Sequence, residues 1–489
     1  MIRFFNTLGG AVEPFVPLEP GVVKLYTCGP TVYDYPHIGN WRAYVFEDLL
    51  KRSLMLRGFK VVHVMNITDV DDKTIRGAQA AGVGLEDYTR PFIEAFFEER
   101  DRLNVLPADH YPRATGHIPE MVTLIKTLLD KGFAYRKEGS VYFSIDKFPS
   151  YGRLSRVNLE ERRAGSRGDA DEYEKESVHD FALWKAPKEG EPSWDTEIGP
   201  GRPGWHIECS AMSSRYFGPS FDIHCGGIDN IFPHHENEIA QSEAANGVKF
   251  VGTWLHCHHL VVNGEKMAKS KGNFLTLETV LGKGFSTREV RFLLLSTHYR
   301  KMLNFTDEAM HQARAGLERI RNFLVDLEDI KRDGQPDPDV VRLAEGSREE
   351  FAAALDDDLN ISEALAALFT FIKSANVLRD KGRLTQGDAA ALRDLVLELD
   401  DKVLGVGLQS RAAAPVDAAG QVQAKSAVKG KADILDSRVR ERIEERQKAR
   451  AAKDFKRADE IRKELLDMGV LLEDTKDGVR WKKIASPKN

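Results

Sequence analysis

Apolar residues recur along this chain with two different periods, and the changes of period divide it. Residues 22–28, "VVKLYTC", form a short β-branched run that stops at Gly-Pro, and "WRAYVFEDLLKRSLMLRGF" (41–59) then spaces its apolar residues as one face of a helix does. "KVVHVMNITDVDD" (60–72) returns to strand composition. Strand, helix, strand is the right-handed crossover of a parallel sheet. Such sheets bind ligands at the carboxyl ends of their strands, where Cys28 and Thr68 are expected to sit.

From about residue 115 to 200 the texture changes to a helix near "PEMVTLIKTLLDKGF", strand-like "SVYFSI" and the charged "GSRGDADEYEKES", which reads as an insertion into the sheet domain. Strand-rich and helix-rich pieces resume from "GWHIECSAM" through "TWLHCHHLVV" and supply the second half of the same sheet. After "NGEKMAKSKGN" the period is helical to residue 405, with "AALDDDLNISEALAALFTFIKSANVLRD" clearly amphipathic, which predicts a bundle. Residues 408–432 are poor in large apolar residues and read as a linker, followed by a small tail of a helix or two and "GVRWKK". There is no internal repeat.

A chain of 489 residues, 42% hydrophobic and 30% charged, is too long for one ordinary core, so several domains are expected. No apolar stretch approaches the roughly 20 residues that span a bilayer, and "MIRFFNTLGGAVEPF" has no apolar segment followed by a small-residue cleavage site. No membrane partner and a cytoplasmic location are the expectation. The four cysteines, at 28, 209, 225 and 257, form no CxxC pair and no disulfide pattern, which leaves metal binding or chance. The net charge of −6 conceals a basic segment, residues 438–463, with eleven Lys or Arg against six Asp or Glu. It suits a polyanionic partner, and equally a solvated helix.

In "PHHENEIAQ", His234 and Glu238 stand four apart in a helical segment and share one face. Alone, a His and a Glu at this spacing more often form a surface hydrogen bond than a metal site. Ile239 stands where a zinc peptidase needs its second His after His235, which argues against that class. Cys28 and Cys209, both expected near strand ends at the mouth of the sheet, would complete a donor set of thiolate, imidazole and carboxylate that zinc accepts. The rival cluster "HCHH", His256 to His259, places at most alternate residues on one side of a strand and reads better as partly buried strand. "YPHIGN" reads as a turn into a helix, where Gly39 allows close approach of a flat ligand and His37 is placed to donate to a phosphate. "KMAKS" puts Lys266 and Lys269 between Gly264 and Gly272, a basic loop able to clamp a phosphate chain.

Taken together, these stretches resemble the class I aminoacyl-tRNA synthetases, and within them the cysteinyl-tRNA synthetase family, nearly end to end. "CGPTVYDYPHIGN" is similar to that family's nucleotide-binding signature, "NITDVDDK" to its following strand, "GRPGWHIECSAMS" and "FPHHENEIAQ" to its metal segments, "KMAKS" to its signature loop, and "DFKRADEIRKELLDMGV" with "DGVRW" to its tail. The resemblance implies one zinc ion per chain, held by Cys28, Cys209, His234 and Glu238. It implies ATP, with magnesium, handled by His37, Gly39, Asn40, Lys266 and Lys269. Thr68, Trp205, His224 and Asp229 fall in stretches similar to those lining the family's cysteine and adenylate pocket, although Trp205 reads equally as core. Trp481 is a candidate platform for a tRNA base or an interior residue of the tail.

The implied fold is α/β: a Rossmann-like parallel-sheet catalytic domain with an insertion, an α-helical anticodon-binding bundle and a small C-terminal domain. Its expected parts are 1–114 and 201–262 for the two halves of the catalytic domain, 115–200 for the connective insertion and 263–315 for the signature-loop stem. The bundle, linker and basic C-terminal domain follow at 316–407, 408–432 and 433–489. The implied reaction joins L-cysteine to its tRNA in two steps through an adenylate made from ATP, with the metal selecting the thiol and no editing domain, on a monomer.

Four positions depart from the family pattern. Asn40 stands where a second His is usual, Ala268 replaces the loop Ser, and Cys225 and Asn230 replace Gly and Leu. Two other readings share the core. A ligase joining cysteine to an amino sugar would not need the bundle and basic tail. A noncatalytic tRNA-binding relative would be expected to lose the lysines or metal ligands.

Overall fold

The computed structural model describes residues 1–156, 180–268 and 272–408, and in the C-terminal part Arg446, Arg457, Ile461, 470–475 and 478–483. Four strands, Val251–Cys257, Phe221–Gly227, Val22–Thr27 and Lys60–Met65, lie side by side in that order, every pairing parallel. The strand–helix–strand unit read from the sequence is present as Val22–Thr27, Ile38–Leu56 and Lys60–Met65.

Side chains alternate across this sheet. Val23, Leu25, Val61 and Met65 join a core built with the helix Ile38–Leu56 and the C-terminal helices. Tyr26, Val64, Phe221 and Trp254 face a second core. Both faces are therefore covered, as a parallel sheet requires. The second core is shared with the insertion, a helix Ile118–Asp130 and an antiparallel sheet of Ala134–Lys137, Ser140–Phe143, Phe181–Lys185 and Arg202–Pro203. This sheet runs past residue 200 and ends just before Gly204, which caps the helix Trp205–Phe217.

Beyond the sheet, the helices Asp307–Glu328, Pro338–Asp356, Ile361–Asp380 and Gln386–Leu399 pack into a bundle. The first of them runs through residue 315, so the stem and the bundle share one helix. Ile361–Asp380 is the one helix among the described residues long and apolar enough to cross a membrane. It buries Ile361, Leu365, Leu368, Phe371 and Ile372 in the core of the bundle. The C-terminal part, Ala412–Asn489, is a separate unit, in which Val470–Thr475 and Gly478–Lys483 form an antiparallel pair with Leu472 opposite Trp481. The linker and most of the basic segment 438–463 lie outside the described residues.

Buried charge locks the first long helix to the stem and the bundle. Asp48 accepts from Arg52 Nε at 2.8 Å, from Leu106 N at 2.8 Å and from Arg291 Nη2. Arg291, in the helix Thr287–Ser296, also donates to Leu404 O and Leu103 O. Burial alone would raise the Asp48 carboxyl, but the Arg291 and Arg52 guanidinium groups outweigh it and hold the carboxyl below its ordinary range. Removing one member of a buried charge group strands the others. Asp48→Asn is therefore expected to lower the unfolding free energy by about 3–5 kcal/mol. Glu278→Gln, which breaks the exposed pair with Arg102, should cost less than about 1 kcal/mol. Urea denaturation of both variants checks the contrast.

Candidate active site

Chain ends and turns converge at the carboxyl edge of the parallel sheet. Cys28 follows directly on the strand Val22–Thr27, and its N–H donates to Cys225 O at 3.1 Å. Gly29 must be glycine here, because a Cβ would stand 1.8 Å from Asn66 O; its N–H donates to Asn66 Oδ1. From the next strand over, the segment Ile231–His235 leads into the helix Glu236–Asn246 and brings His234, His235 and Glu238 to the same place. One donor atom from each of Cys28, His234, His235 and Glu238 lies within 4.8 Å of the others.

The geometry inside this group is tight. Cys28 Sγ is 3.2 Å from His235 Nε2, and Glu238 Oε1 is 3.1 Å from His234 Nε2 and 3.9 Å from His235 Nε2. Glu238 Oε2 is held by His224 Nε2 at 3.0 Å, while Oε1, fully buried, has no hydrogen-bond partner. Cys209 reaches the group from the helix Trp205–Phe217, its thiol against those of Cys28 and the hydroxyl of Tyr26. It is helical, not at a strand end as the sequence suggested, because Gly204 starts a helix immediately after the short strand Arg202–Pro203.

Aromatic rings wall the group. Trp205 stacks on His234 with centroids 4.3 Å apart, and Trp254 stacks on His224 at 4.7 Å. His206 Nδ1 lies 3.0 Å from His234 Nδ1, and His256 Nε2 lies 2.8 Å from His235 Nδ1. Spacing does not mark His235 or His206 as members of this site, and His256 stood only in the HCHH run, read as partly buried strand. His235 is one residue out of the i, i+4 register, and the other two come from separate segments.

Burial sets the electrostatics. It pushes the Cys28 thiol up and holds His234 down to about 3. The Cys209 thiol is pushed well up by its hydrogen bond with Cys28, then by burial and by the charges of Cys28 and Glu238. Buried carboxylate, imidazole and thiol with an orphaned carboxylate oxygen form a donor set that fits a borderline-soft divalent cation, which would satisfy that oxygen and favour the thiolates.

The residues expected to handle ATP lie at the start of the helix Ile38–Leu56. His37 caps it, with Nδ1 accepting from Asn40 N at 3.1 Å and Asn40 Oδ1 accepting from His37 N at 3.0 Å. Asn40 thus completes a reciprocal cap, and its amide NH₂ remains as a donor group. A Cβ on Gly39 would meet Met267 Cε at 2.8 Å and the His37 ring at 3.0 Å, so the signature loop packs directly on this glycine. Ile38 N donates to Leu275 O at 2.9 Å, and the His37 ring meets Phe274 edge-on. Lys266 is exposed on the strand Glu265–Lys266, and Ala268 N donates to Asn273 Oδ1. Lys269 lies outside the described residues.

Thr68 is buried, donating to Glu208 Oε2 at 2.9 Å and accepting from Asn66 Nδ2. Asp229 is exposed on the turn Ile228–Asn230 after the strand Phe221–Gly227. Cys225 is buried in the sheet core, and Trp481 lies on a strand of the separate C-terminal unit.

Comparison with known proteins accounts for the whole arrangement. Residues 14–315 match the model of the class I (C) tRNA synthetase catalytic domain, 350–409 the DALR domain and 434–481 the cysteinyl-tRNA ligase anticodon binding domain. A cysteine–tRNA ligase of Chlamydia muridarum is 49% identical over 98% of this chain and 99% of its own length. One of Leptospira interrogans is 46% identical over 99% of each. The chain belongs to the cysteine–tRNA ligase family.

As a cysteine–tRNA ligase it uses ATP to charge tRNA with cysteine, and the amino-sugar acceptor and the noncatalytic reading give way to this one. The fold is that of class I synthetases. Methionyl-tRNA synthetase of Mycobacterium tuberculosis with methionyl-adenylate aligns over 79% of this chain and 92% of its own with a TM-score of 0.61 at 16% identity. A leucyl-tRNA synthetase complex of Agrobacterium radiobacter aligns over 80% and 85% with 0.56 at 14%.

In this ligase the helix Ile38–Leu56 is steadied by Trp41, which stacks on Phe96 and donates from Nε1 to Glu99 Oε2 at 2.5 Å. Burial raises the Glu99 carboxyl to about 7, with the Trp41 bond opposing and the charge of Glu278 adding to the rise. A carboxyl whose folded value lies above its ordinary 4.5 stabilises the fold while protonated, and that contribution is lost as pH rises through about 7. Glu99→Gln keeps an acceptor for Trp41 without the charge. From pH 5 to pH 8 its stability should gain on the wild type by up to about 3 kcal/mol. A difference that stays constant over that range in urea denaturation contradicts the assignment.

Proposed function

We propose that Cys28, Cys209, His234 and Glu238 hold one zinc ion at the floor of the amino-acid pocket, and that this centre is where cysteine is told from serine. The observation that carries the reading is the buried Glu238 Oε1, which makes no hydrogen bond yet stands among the His234, His235 and Cys28 donor atoms. When bound, zinc supplies a site that accepts a thiolate sulfur far better than a serine hydroxyl. Discrimination of 10⁴ to 10⁵ corresponds to roughly 5.5–7 kcal/mol, more than a cavity sensing size alone supplies, so no editing domain is needed.

The chain's own residues divide the remaining work. His224 fixes Glu238 through its hydrogen bond, and Trp205 fixes the plane of His234 by stacking. Thr68, locked by Glu208 and Asn66, forms the pocket wall behind Gly29, and Asp229 on its exposed turn is the group available to the substrate's ammonium. His37, Gly39 and Asn40 form the nucleotide floor, with Lys266 and Lys269 neutralising the phosphates of Mg-ATP. The substrate carboxylate attacks the α-phosphorus, pyrophosphate leaves, and the terminal ribose hydroxyl of tRNA takes the cysteinyl group. No general base is needed in the first step, because the carboxylate already carries its charge; positioning and charge neutralisation supply the rate.

The parts follow the same reading: catalytic halves at 1–114 and 201–262, insertion 115–200, stem 263–315, bundle 316–407, linker 408–432 and C-terminal domain 433–489. The bundle and the basic tail hold the anticodon arm through phosphate contacts and stacked bases, with Trp481 as a platform, on a cytoplasmic monomer.

Cys209→Ser tests the centre. Cysteine-dependent ATP–pyrophosphate exchange should fall by about 100-fold or more together with bound zinc, as expected when a ligand is lost. Normal cysteine activation by a chain without bound metal would refute the reading.

A further inference from the structure

We infer that Thr7 is a positioning residue for the cysteine-selecting centre: its hydroxyl, acting through His256, orients His235 toward Cys28. The inference rests on the zinc reading above and assigns a role to an N-terminal segment that lies outside every signature stretch.

The N-terminal strand Arg3–Asn6 runs beside the edge strand Val251–Cys257 and is pinned to it. Thr7 N donates to Trp254 O at 2.9 Å, Trp254 N to Asn6 Oδ1 at 3.1 Å, and Asn6 Nδ2 to Gly252 O at 3.2 Å. These bonds set the backbone so that Thr7 Oγ1 lies 2.8 Å from His256 Nδ1. His256 Nε2 lies 2.8 Å from His235 Nδ1, and His235 Nε2 lies 3.2 Å from Cys28 Sγ. Three consecutive hydrogen bonds therefore join a hydroxyl on the N-terminal segment to the sulfur in the pocket. Both rings are buried.

A neutral imidazole has one N–H and one acceptor nitrogen, so a chain through two of them runs in one direction only. A sulfur that ligates a cation has no proton to give and ends the chain as acceptor. Thr7 O–H then donates to His256 Nδ1, His256 Nε2–H to His235 Nδ1, and His235 Nε2–H to Cys28 Sγ. The sulfur sets the direction of that series, and Thr7 stands at its head, its hydroxyl supplying the proton that His256 Nδ1 accepts. Without it His256 can keep its proton on Nδ1, which turns an acceptor toward His235 and releases the His235 donor from the sulfur. The His235 ring packs closely over Gly226, where a Cβ would stand 2.9 Å from His235 Cε1.

The other end of the strand is tied to the bundle. Asp358, in the turn before the helix Ile361–Asp380, donates from N to Arg3 O at 3.0 Å and accepts from Phe5 N at 2.8 Å, Tyr299 Oη at 2.5 Å and Arg300 Nε at 2.6 Å. Thr7 therefore hangs on a strand fixed at both ends, which is what a positioning residue needs.

The test uses the full chain as wild type, Thr7→Val and Thr7→Ser. It measures zinc affinity by chelator competition, KM for cysteine and for ATP in pyrophosphate exchange, and the thermal midpoint. Loss of a group that orients a ligand costs about 10–100-fold in metal affinity. Thr7→Val should weaken zinc by that factor and raise KM for cysteine similarly, with KM for ATP and the thermal midpoint near wild type, and Thr7→Ser should behave as wild type. Thr7→Ala gives the same reading if valine is not accommodated beside the ring. Unchanged zinc affinity in the valine or alanine variant, or a serine variant as impaired as they are, overturns the inference. A parallel loss for ATP and in thermal midpoint reduces Thr7 to a structural contact and also overturns it. A wild-type chain that holds no zinc defeats the underlying reading instead.

Discussion

A carboxylate buried without water must find either a proton or a positive charge, and Glu238 stands among side chains able to hold a cation. One oxygen is held by His224, and the other, unpartnered, faces His234, His235 and Cys28. Satisfying that oxygen with a cation also relieves the raised thiols of Cys28 and Cys209. The rest of the molecule is organised to keep this group dry and in register. The parallel sheet delivers Cys28, the helix after Gly204 delivers Cys209, and the segment after the third sheet strand delivers the imidazoles and the carboxylate. Stacked indoles of Trp205 and Trp254 close the sides.

The same economy governs the start of the first long helix. His37 and Asn40 cap one another across the start of the first long helix, so the amide at position 40 does a capping job and still presents donors toward an anion. Gly39 matters for what it lacks, since Met267 of the signature loop occupies the space of a side chain there. Two motifs separated by more than two hundred residues thus meet on a single missing methyl group. Behind them, Asp48 with Arg52 and Arg291 ties this helix to the helix Thr287–Ser296 and to Leu404, after the last bundle helix.

Much of this was legible in the sequence because local period and composition carry it. The β-branched run before Gly-Pro, the helical spacing of 41–59 and the return to strand composition at 60 name the parallel unit, and the spacing of His234 and Glu238 names a shared helix face. What stayed hidden depends on contacts between distant segments. His235 follows His234 with no periodicity to mark it, and His256 belonged to a run best read as ordinary strand, yet the two rings meet at 2.8 Å. Thr7 carries no motif at all. Cys209 lies not at a strand end but in the helix that Gly204 caps, which brings its thiol to Cys28 from a different element. The shared helix Asp307–Glu328 shows the same limit: helical period is visible across residue 315, but a domain boundary inside it is not.

X-ray absorption at the zinc edge of the full chain, recorded with no amino acid, with cysteine and with serine, tests the central claim most directly. The account predicts two sulfur neighbours at about 2.3 Å in the free enzyme, a third with cysteine, and no change with serine. A sulfur count that does not rise with cysteine would contradict it.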